Sequence, residues 1–159
     1  MGDIRMRLAR VEDASAISRL ARRVVRRWII PDQPAVAVAL LEESLRAKVI
    51  RQKIEAGQRF HLAFVSDALA GVAAVRNDSH VFQLFVGTRH QGKGIARKLW
   101  DRLRRDCIRR AGTRTFTLNA APGAVPVYRH MGFVIDHDPG RERGKVISAP
   151  MIYRLDDRA

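Results

Sequence analysis

The residues of this chain best suited to chemistry lie in one stretch, Val81 to Trp100, reading VFQLFVGTRHQGKGIARKLW. Val81 to Val86 is an apolar run broken only by Gln83, the pattern of a strand covered on both faces. It stops at Gly87 and Thr88. Beyond Arg89 and His90, the segment Gln91-Gly92-Lys93-Gly94-Ile95-Ala96 leads into a helical period, with Ile95, Leu99, Leu103 and Cys107 four residues apart. A buried strand thus feeds a glycine turn that opens a helix. The first turn of a helix carries amide N–H groups with no partner inside it, and its dipole favours negative charge there. Gly92, Gly94 and Ala96 keep side chains out of the way, so a diphosphate can approach the backbone, with Lys93 and Arg97 adding positive charge. A glycine turn that only reverses the chain is the competing reading. The segment is neither a Walker loop nor the Gly-x-Gly-x-x-Gly dinucleotide fingerprint.

Gln91-x-x-Gly94-x-Ala96 after an apolar strand resembles the acetyl-coenzyme A signature of the GCN5-related N-acetyltransferases, the GNAT family. A second segment adds to the resemblance: Leu118-Asn119-Ala120-Ala121-Pro122 through Tyr128-Arg129-His130-Met131-Gly132-Phe133 is similar to the family's late helix ending in Tyr-x-x-x-Gly-Phe. The likeness covers roughly Ile4 to Leu155, with its specific motifs inside residues 80–133. It implies an α/β fold of about seven mostly antiparallel strands with one splayed parallel pair, flanked by about four helices. It also implies an N-acetyltransferase that moves the acetyl group of acetyl-CoA directly to an amino group, with no covalent enzyme intermediate. The five histidines show no metal-ligand spacing, so no metal is expected.

The same resemblance assigns residues. Backbone amides from Gln91 through Gly92, Lys93, Gly94, Ile95 and Ala96, with Arg97 beside them, would hold the diphosphate. Leu84, Phe85 and Val86 would offer main-chain bonds to the pantetheine arm, and an amide near Phe85 or Val86 would polarise the thioester carbonyl. Asn119 resembles the family's cofactor-contacting asparagine. His80, eleven residues before Gln91, stands where several relatives carry a glutamate base; an imidazole, ordinarily near pKa 6.5, can take an ammonium proton directly or through water. Its competing role is bonding the Asn77-Asp78 turn. Gln83 would only orient a water. Tyr128 matches the late-helix tyrosine, whose phenol can protonate a departing thiolate and contact the cofactor, with ring packing as the alternative. Trp28 and Asp32 are the weaker substrate-binding candidates, in the loop that borders the acceptor pocket of such proteins; a core position is the alternative for Trp28. His90 and His130 are expected to face solvent.

Composition bounds the rest. A chain of 159 residues with 47% hydrophobic residues is expected to form one domain spanning residues 1–159, with 156–159 frayed. The N-terminus lacks a signal-peptide pattern and no apolar run approaches a membrane span, so a cytoplasmic, membrane-free protein is expected. Cys107 is the only cysteine, which excludes an intrachain disulfide, and its place on the apolar helix stripe makes it a core thiol. The net charge of +14 raises nucleic acid as a partner, but the arginines are scattered and not interleaved with aromatics, so nucleic acid is disfavoured. The charge would still steer an anionic cofactor. Expected partners are an amine-bearing acceptor of unknown identity and, as among relatives, a second copy in a homodimer. A non-catalytic module binding acyl-CoA or an acidic macromolecule is the alternative function.

These residues need a scaffold, and the chain supplies one in order. Ile4 to Leu8 alternates as a strand, and a helix follows with Asp13 as N-cap and Ile17, Leu20, Val24 and Trp28 on its inner face. Pro31 and Pro34 break it. A second helix is expected over Ala35 to Ala56. Arg59 to Val65, Ala68 to Arg76 and the Val81 run form an antiparallel meander with turns at Ser66-Asp67 and Asn77-Asp78. Thr115 to Leu118 should pair in parallel with the strand before the cofactor helix. Pro122 to Met131 is the late helix, 136–145 a loop, and Val146 to Leu155 a last strand placed at an edge or bulge by Pro150.

Overall fold

The computed structural model describes residues 3–138, 140 and 144–155. The chain runs β1 (Ile4–Leu8), α1 (Ala14–Trp28), α2 (Ala35–Ser44), α3 (Ala47–Glu55), β2 (Arg59–Val65), β3 (Ala68–Arg76), β4 (His80–Val86), α4 (Ile95–Ala111), β5 (Thr115–Ala120), α5 (Val125–His130), β6 (Val134–Ile135) and β7 (Ala149–Arg154). Short 3-10 turns join several of them. The strands form one mixed sheet in the order β1-β2-β3-β4-β5-β7-β6, parallel only between β4 and β5. The meander β2-β3-β4 matches its sequence pattern. Its tight turns hold Ser66, Asp67, Asn77 and Asp78 at φ of 48°, 65°, 54° and 51°. Asn and Asp tolerate that left-handed region better than most residues.

Alternation along the strands sorts side chains into two cores. Ala73, Val75, Val81, Phe116, Leu118 and Met151 meet Ile95, Leu99, Trp100 and Leu103 of α4. On the other face, Phe60, Leu62, Val72 and Ala74 meet Ala14, Ile17 and Leu20 of α1 and Ile50 of α3. The near-continuous apolar character of β4 follows from this double cover.

Helix α4 is fixed along its length by three different interactions. Near its start it lies so close to β3 that a Cβ on Gly71 would sit 2.9 Å from Leu99 Cδ1, 3.1 Å from the Phe85 carbonyl oxygen and 3.2 Å from Ile95 Cγ2. At mid-length Trp100 is buried edge-on to Phe116 and Tyr153, with centroids 5.1 and 5.2 Å away. Toward its end, buried Asp106 accepts two bonds from Arg59, Nε at 2.6 Å and Nη2 at 3.0 Å. His61 Nε2 approaches the same carboxylate at 3.3 Å without hydrogen-bond alignment. Cys107 is buried on this helix, and burial pushes its thiol up to about 12, as befits a core thiol.

Several elements differ from their sequence patterns. The expected helix over 35–56 is two helices, because Leu45 turns inward against Ala21 and Val25 while Ser18 donates to its carbonyl at 2.6 Å, leaving Arg46 extended. Asp13 precedes α1 but makes no cap bond to it. Its carboxylate instead holds Arg7 at 2.8 and 3.0 Å and the Arg10 N–H at 2.7 Å. The late helix begins with a 3-10 turn at Pro122–Ala124. Strand β7 is interior, between β5 and β6, with Pro150 at its second position. Fraying at 156–159 concerns residues outside those described.

Two stability predictions follow from the seating of α4. Gly71→Val should overpack the β3–α4 contact and lower the melting temperature by roughly 4–8 °C, measured by thermal denaturation; an unchanged melting temperature would show that α4 does not depend on this approach. Burial holds the His61 imidazole down to about 4, the loss of hydration outweighing nearby Asp106. Below about 6.5 the unfolded chain therefore binds a proton that the native state refuses until about 4, so stability falls as pH drops through that window, by up to about 3 kcal/mol. Denaturant midpoints between pH 7 and 4.5 should decline in the wild type and flatten in His61→Leu.

Candidate active site

The parallel pairing of β4 with β5 consists of two residue pairs, His80–Thr117 and Val81–Leu118. Immediately beyond them the β3–β4 register slips: Ala74 faces Gln83 and Val75 faces Val81, so Phe82 is an extra residue in β4. Such a bulge bends its strand and ends local pairing. From there β4 stays with β3 as far as Gly71–Val86, while β5 follows β7. Two strand edges, Phe82 to Val86 and Asn119 to Ala120, thus part company around an open wedge. Unpaired strand edges offer N–H and C=O groups to any extended amide-bearing chain.

The glycine turn closes the wide end of this wedge. Gly92 and Gly94 have φ of 80° and 78°, with nothing within 4 Å of where a Cβ would stand. The bond that begins α4 is Lys98 N–H to the Gly94 carbonyl at 3.1 Å, and no side chain caps the helix. The amides from Gly92 to Arg97 have no backbone acceptor, which leaves a run of donors suited to phosphate oxygens. Lys93 and Arg97 are exposed beside it, whereas Ile95 is buried and contributes only its backbone. Gln91 Nε2 donates to the Val86 carbonyl at 3.1 Å, fastening the turn to the strand end. Arg97 Nη1 donates to the His130 carbonyl at 2.9 Å, tying the start of α4 to the end of α5.

His80 lies at the narrow end, its Nδ1 2.8 Å from Thr117 Oγ1. Strand alternation from Val81 and Leu118, which belong to the α4-side core, puts both residues on the α1/α3 side of the sheet. Asn119 follows the last β4–β5 pair on the same side and is exposed. Leu84 and Val86 pack toward α4, while Phe85 faces the opposite core. Tyr128 is half-buried against the α4-side core, edge-on to Phe133 at 6.0 Å. Its hydroxyl bonds to no described residue, and burial pushes the phenol up to about 12, so it stays protonated at any working pH.

Trp28 is 48% exposed at the end of α1, with the Arg27 guanidinium over its ring, so the alternative core role does not hold. Asp32 is exposed in the 3-10 turn Ile30–Asp32. His90 is half-buried with its Nδ1 enclosed, which departs from the expected solvent-facing side chain. Sequence reasoning missed three features. Thr117 has no signal beyond strand alternation. Gln33 exchanges two bonds with Ile147, Nε2 to its carbonyl at 2.9 Å and its N–H to Oε1 at 2.7 Å, across a separation only folding closes. Gln83 carries a buried, unpartnered oxygen; as the lone polar residue of an apolar run it was conspicuous, but its burial was not.

A seven-stranded mixed sheet split at one parallel pair, with a glycine turn at the mouth, is the fold of the GCN5-related N-acetyltransferases. Its likeness to solved structures supports that class. A GCN5-related N-acetyltransferase from Rhodopseudomonas palustris superposes with a TM-score of 0.80 at 18% identity, covering 98% of both chains. PaiA N-acetyltransferase from Thermoplasma acidophilum, solved in complex with coenzyme A, gives 0.78 at 14% identity, over 96% of this chain and 99% of that one. YncA of Salmonella typhimurium, a putative acetyltransferase solved with its cofactor acetyl-CoA, gives 0.65 at 21% identity, over 99% and 96%. No curated protein matches the sequence. The acetyltransferase (GNAT) domain family matches residues 29–155, and the chain belongs to that family.

Replacing Gly94 by glutamate puts a carboxylate among the unpaired amides of the turn, at a backbone position that disfavours side chains. Calorimetric titration with coenzyme A should show Gly94→Glu weakening binding at least about tenfold; equal affinity would remove the turn from the site.

Proposed function

We propose that this chain is an N-acetyltransferase using acetyl-CoA, acting as one cytoplasmic domain on the amino group of a small molecule or peptide. The observation that carries the reading is the open wedge between the free edges of β4 and β5, continuous with the uncapped start of α4. Its dimensions of chemistry suit coenzyme A: an amide-bearing arm along strand edges and a diphosphate over bare helix amides. The cofactor would supply an acetyl group activated as a thioester.

The chain's own residues do the rest. Gly92 to Arg97 bind the diphosphate, with Lys93 adding charge. Leu84, Phe85, Val86 and Asn119 hold the arm, and a β4 amide beyond the bulge polarises the carbonyl oxygen. His80, oriented by Thr117, takes the ammonium proton of the acceptor directly or through water. The Tyr128 O–H donates to the departing sulfur. A phenol held near 12 is a weaker acid than usual, so it serves as a persistent donor at every working pH and does not titrate in the rate profile. Trp28 and Asp32 flank the route by which the acceptor enters. The net charge of +14 attracts a polyanionic cofactor and disfavours polycationic acceptors.

Thiol release from acetyl-CoA, measured with ethanolamine, L-glutamate, L-lysine, spermidine and glucosamine 6-phosphate as separate acceptors, tests the reading. Turnover with at least one amine is expected; acetyl-CoA binding without thiol release from any would leave a non-catalytic binding module. Within an active enzyme, Tyr128→Phe should lower kcat at least about tenfold with acetyl-CoA affinity unchanged. Equal kcat would remove the tyrosine from the chemistry.

A further inference from the structure

Helix α3 carries a cation to the side of the sheet on which His80 lies. Lys53 Nζ stands over the ring of Phe82, 4.9 Å from its centroid. Phe82 is the extra residue at which the wedge opens, and its ring lies on the α1/α3 side, edge-on to Phe60 at 5.5 Å. Arg76 supplies a second cation. It stands opposite His80 in the β3–β4 ladder, and residues directly opposite share a face. Ala74, two residues before it, belongs to the α1/α3-side core, which gives Arg76 the same side by alternation. Lys53, Arg76, His80 and Thr117 therefore gather on one face at the narrow end of the wedge. That face is open to solvent: Lys53, Phe82, His80 and Thr117 are half-buried, and Arg76 and Asn119 are exposed.

The two cations lack a counter-charge. Among the described residues no carboxylate comes within ion-pair distance of either, because those on the adjoining segments are committed elsewhere: Glu55 to Arg51 at 3.0 Å, Asp106 to Arg59 at 2.6 Å and Asp78 to Arg110 at 2.6 Å. Burial, and after it the Arg76 guanidinium, hold the Lys53 ammonium below the ordinary lysine range. The Phe82 ring offsets only part of that cost. An anion bound beside the ammonium offsets the rest.

We propose that Lys53, with Arg76 beyond it, binds a carboxylate of the acceptor, so that the amines acetylated are amino acids or other amines bearing a carboxylate. The inference rests on the acetyl-transfer reading and adds a substrate class to it. The amino group sits at the narrow end of the wedge beside His80, and the carboxylate at the other end of the same molecule reaches Lys53. The N–C bond forms, the C–S bond breaks with its electrons on sulfur, sulfur takes the Tyr128 proton, and the two protons lost by the ammonium leave through His80 and solvent. The carboxylate keeps its bonds throughout and only fixes where the nitrogen stands. A single half-buried ammonium balances one negative charge; the second charge of a phosphate would fall to Arg76, whose exposed guanidinium contributes little.

Thiol release with amines paired by length tests this: glycine with ethanolamine, β-alanine with propanolamine, and γ-aminobutyrate with butanolamine. In at least one pair kcat/KM should favour the acid at least about tenfold, the worth of a charge-assisted bond. Lys53→Met keeps a side chain against Phe82 without the charge, and should bring that ratio to within about threefold of unity through a higher KM for the acid rather than a lower kcat. Lys53→Arg keeps the charge and should hold the ratio within about threefold of wild type. Arg76→Gln, at an exposed position, should lower it about threefold. Acids and alcohols used equally by the wild type, an unchanged ratio in an active Lys53→Met, or loss of all activity in Lys53→Met and Lys53→Arg alike overturns the assignment and leaves acetyl transfer standing. So does turnover confined to amines without an acidic group, or a preference for O-phosphoethanolamine over every carboxylate of at least about tenfold. Acetyl-CoA binding with no thiol release from any amine overturns both.

Discussion

Everything distinctive here follows from the early separation of two parallel strands. A sheet normally gains by extending each ladder, so strands that part after two residue pairs need a cause. The extra residue Phe82 supplies it: the bulge lets β4 keep its bonds to β3 while its other edge turns from β5. The result is a pair of strand edges inside the sheet rather than at its rim. Interior edges are shielded from pairing with another chain, yet remain open to a narrow ligand.

Opening a sheet at its centre weakens it, and the compensation lies on the α4 side. The helix sits within van der Waals limits of β3 at Gly71, carries Trp100 into an aromatic cluster with Phe116, Phe133 and Tyr153, and is pinned by Asp106 to Arg59 on β2. It therefore spans both halves of the sheet. The same rigid seating fixes where its bare N-terminus points, and Gln91 and Arg97 fasten that end to β4 and α5. Stability and the placement of the uncapped glycine turn come from one helix.

Charge is arranged with a similar division. Many of the arginines are committed to pairs, as Arg7 with Asp13, Arg22 and Arg26 with Glu42, and Arg110 with Asp78. These exposed or half-exposed pairs contribute little stability each. The positive excess that remains acts on the surroundings as a long-range field, drawing anions toward a turn whose own donors are backbone amides. The α1–α2 connection is held differently, by the paired amide bonds of Gln33 and Ile147.

The meander, α1, the strand–turn–helix at Val81 to Trp100 and the buried Cys107 were legible because each is a local pattern: period two, period four, or glycine at a helix start. The resemblance of two short motifs to the family's also marked His80, Tyr128 and the residues from Gln91 to Arg97 as candidates. Other features depend on groups far apart in the chain. The break between α2 and α3 is made by Ser18 and the inward turn of Leu45, which outweigh the helical propensity of 35–56. Trp28 reads as the next turn of an apolar stripe, but α1 outruns the core and leaves it exposed. The partnering of His80 with Thr117, the bulge at Phe82 and the enclosure of Gln83 arise only when β4 meets β3 and β5. Sequence periodicity specifies which way a residue faces along its own element. What that face meets, and whether a polar atom there finds a donor, is decided by packing between elements.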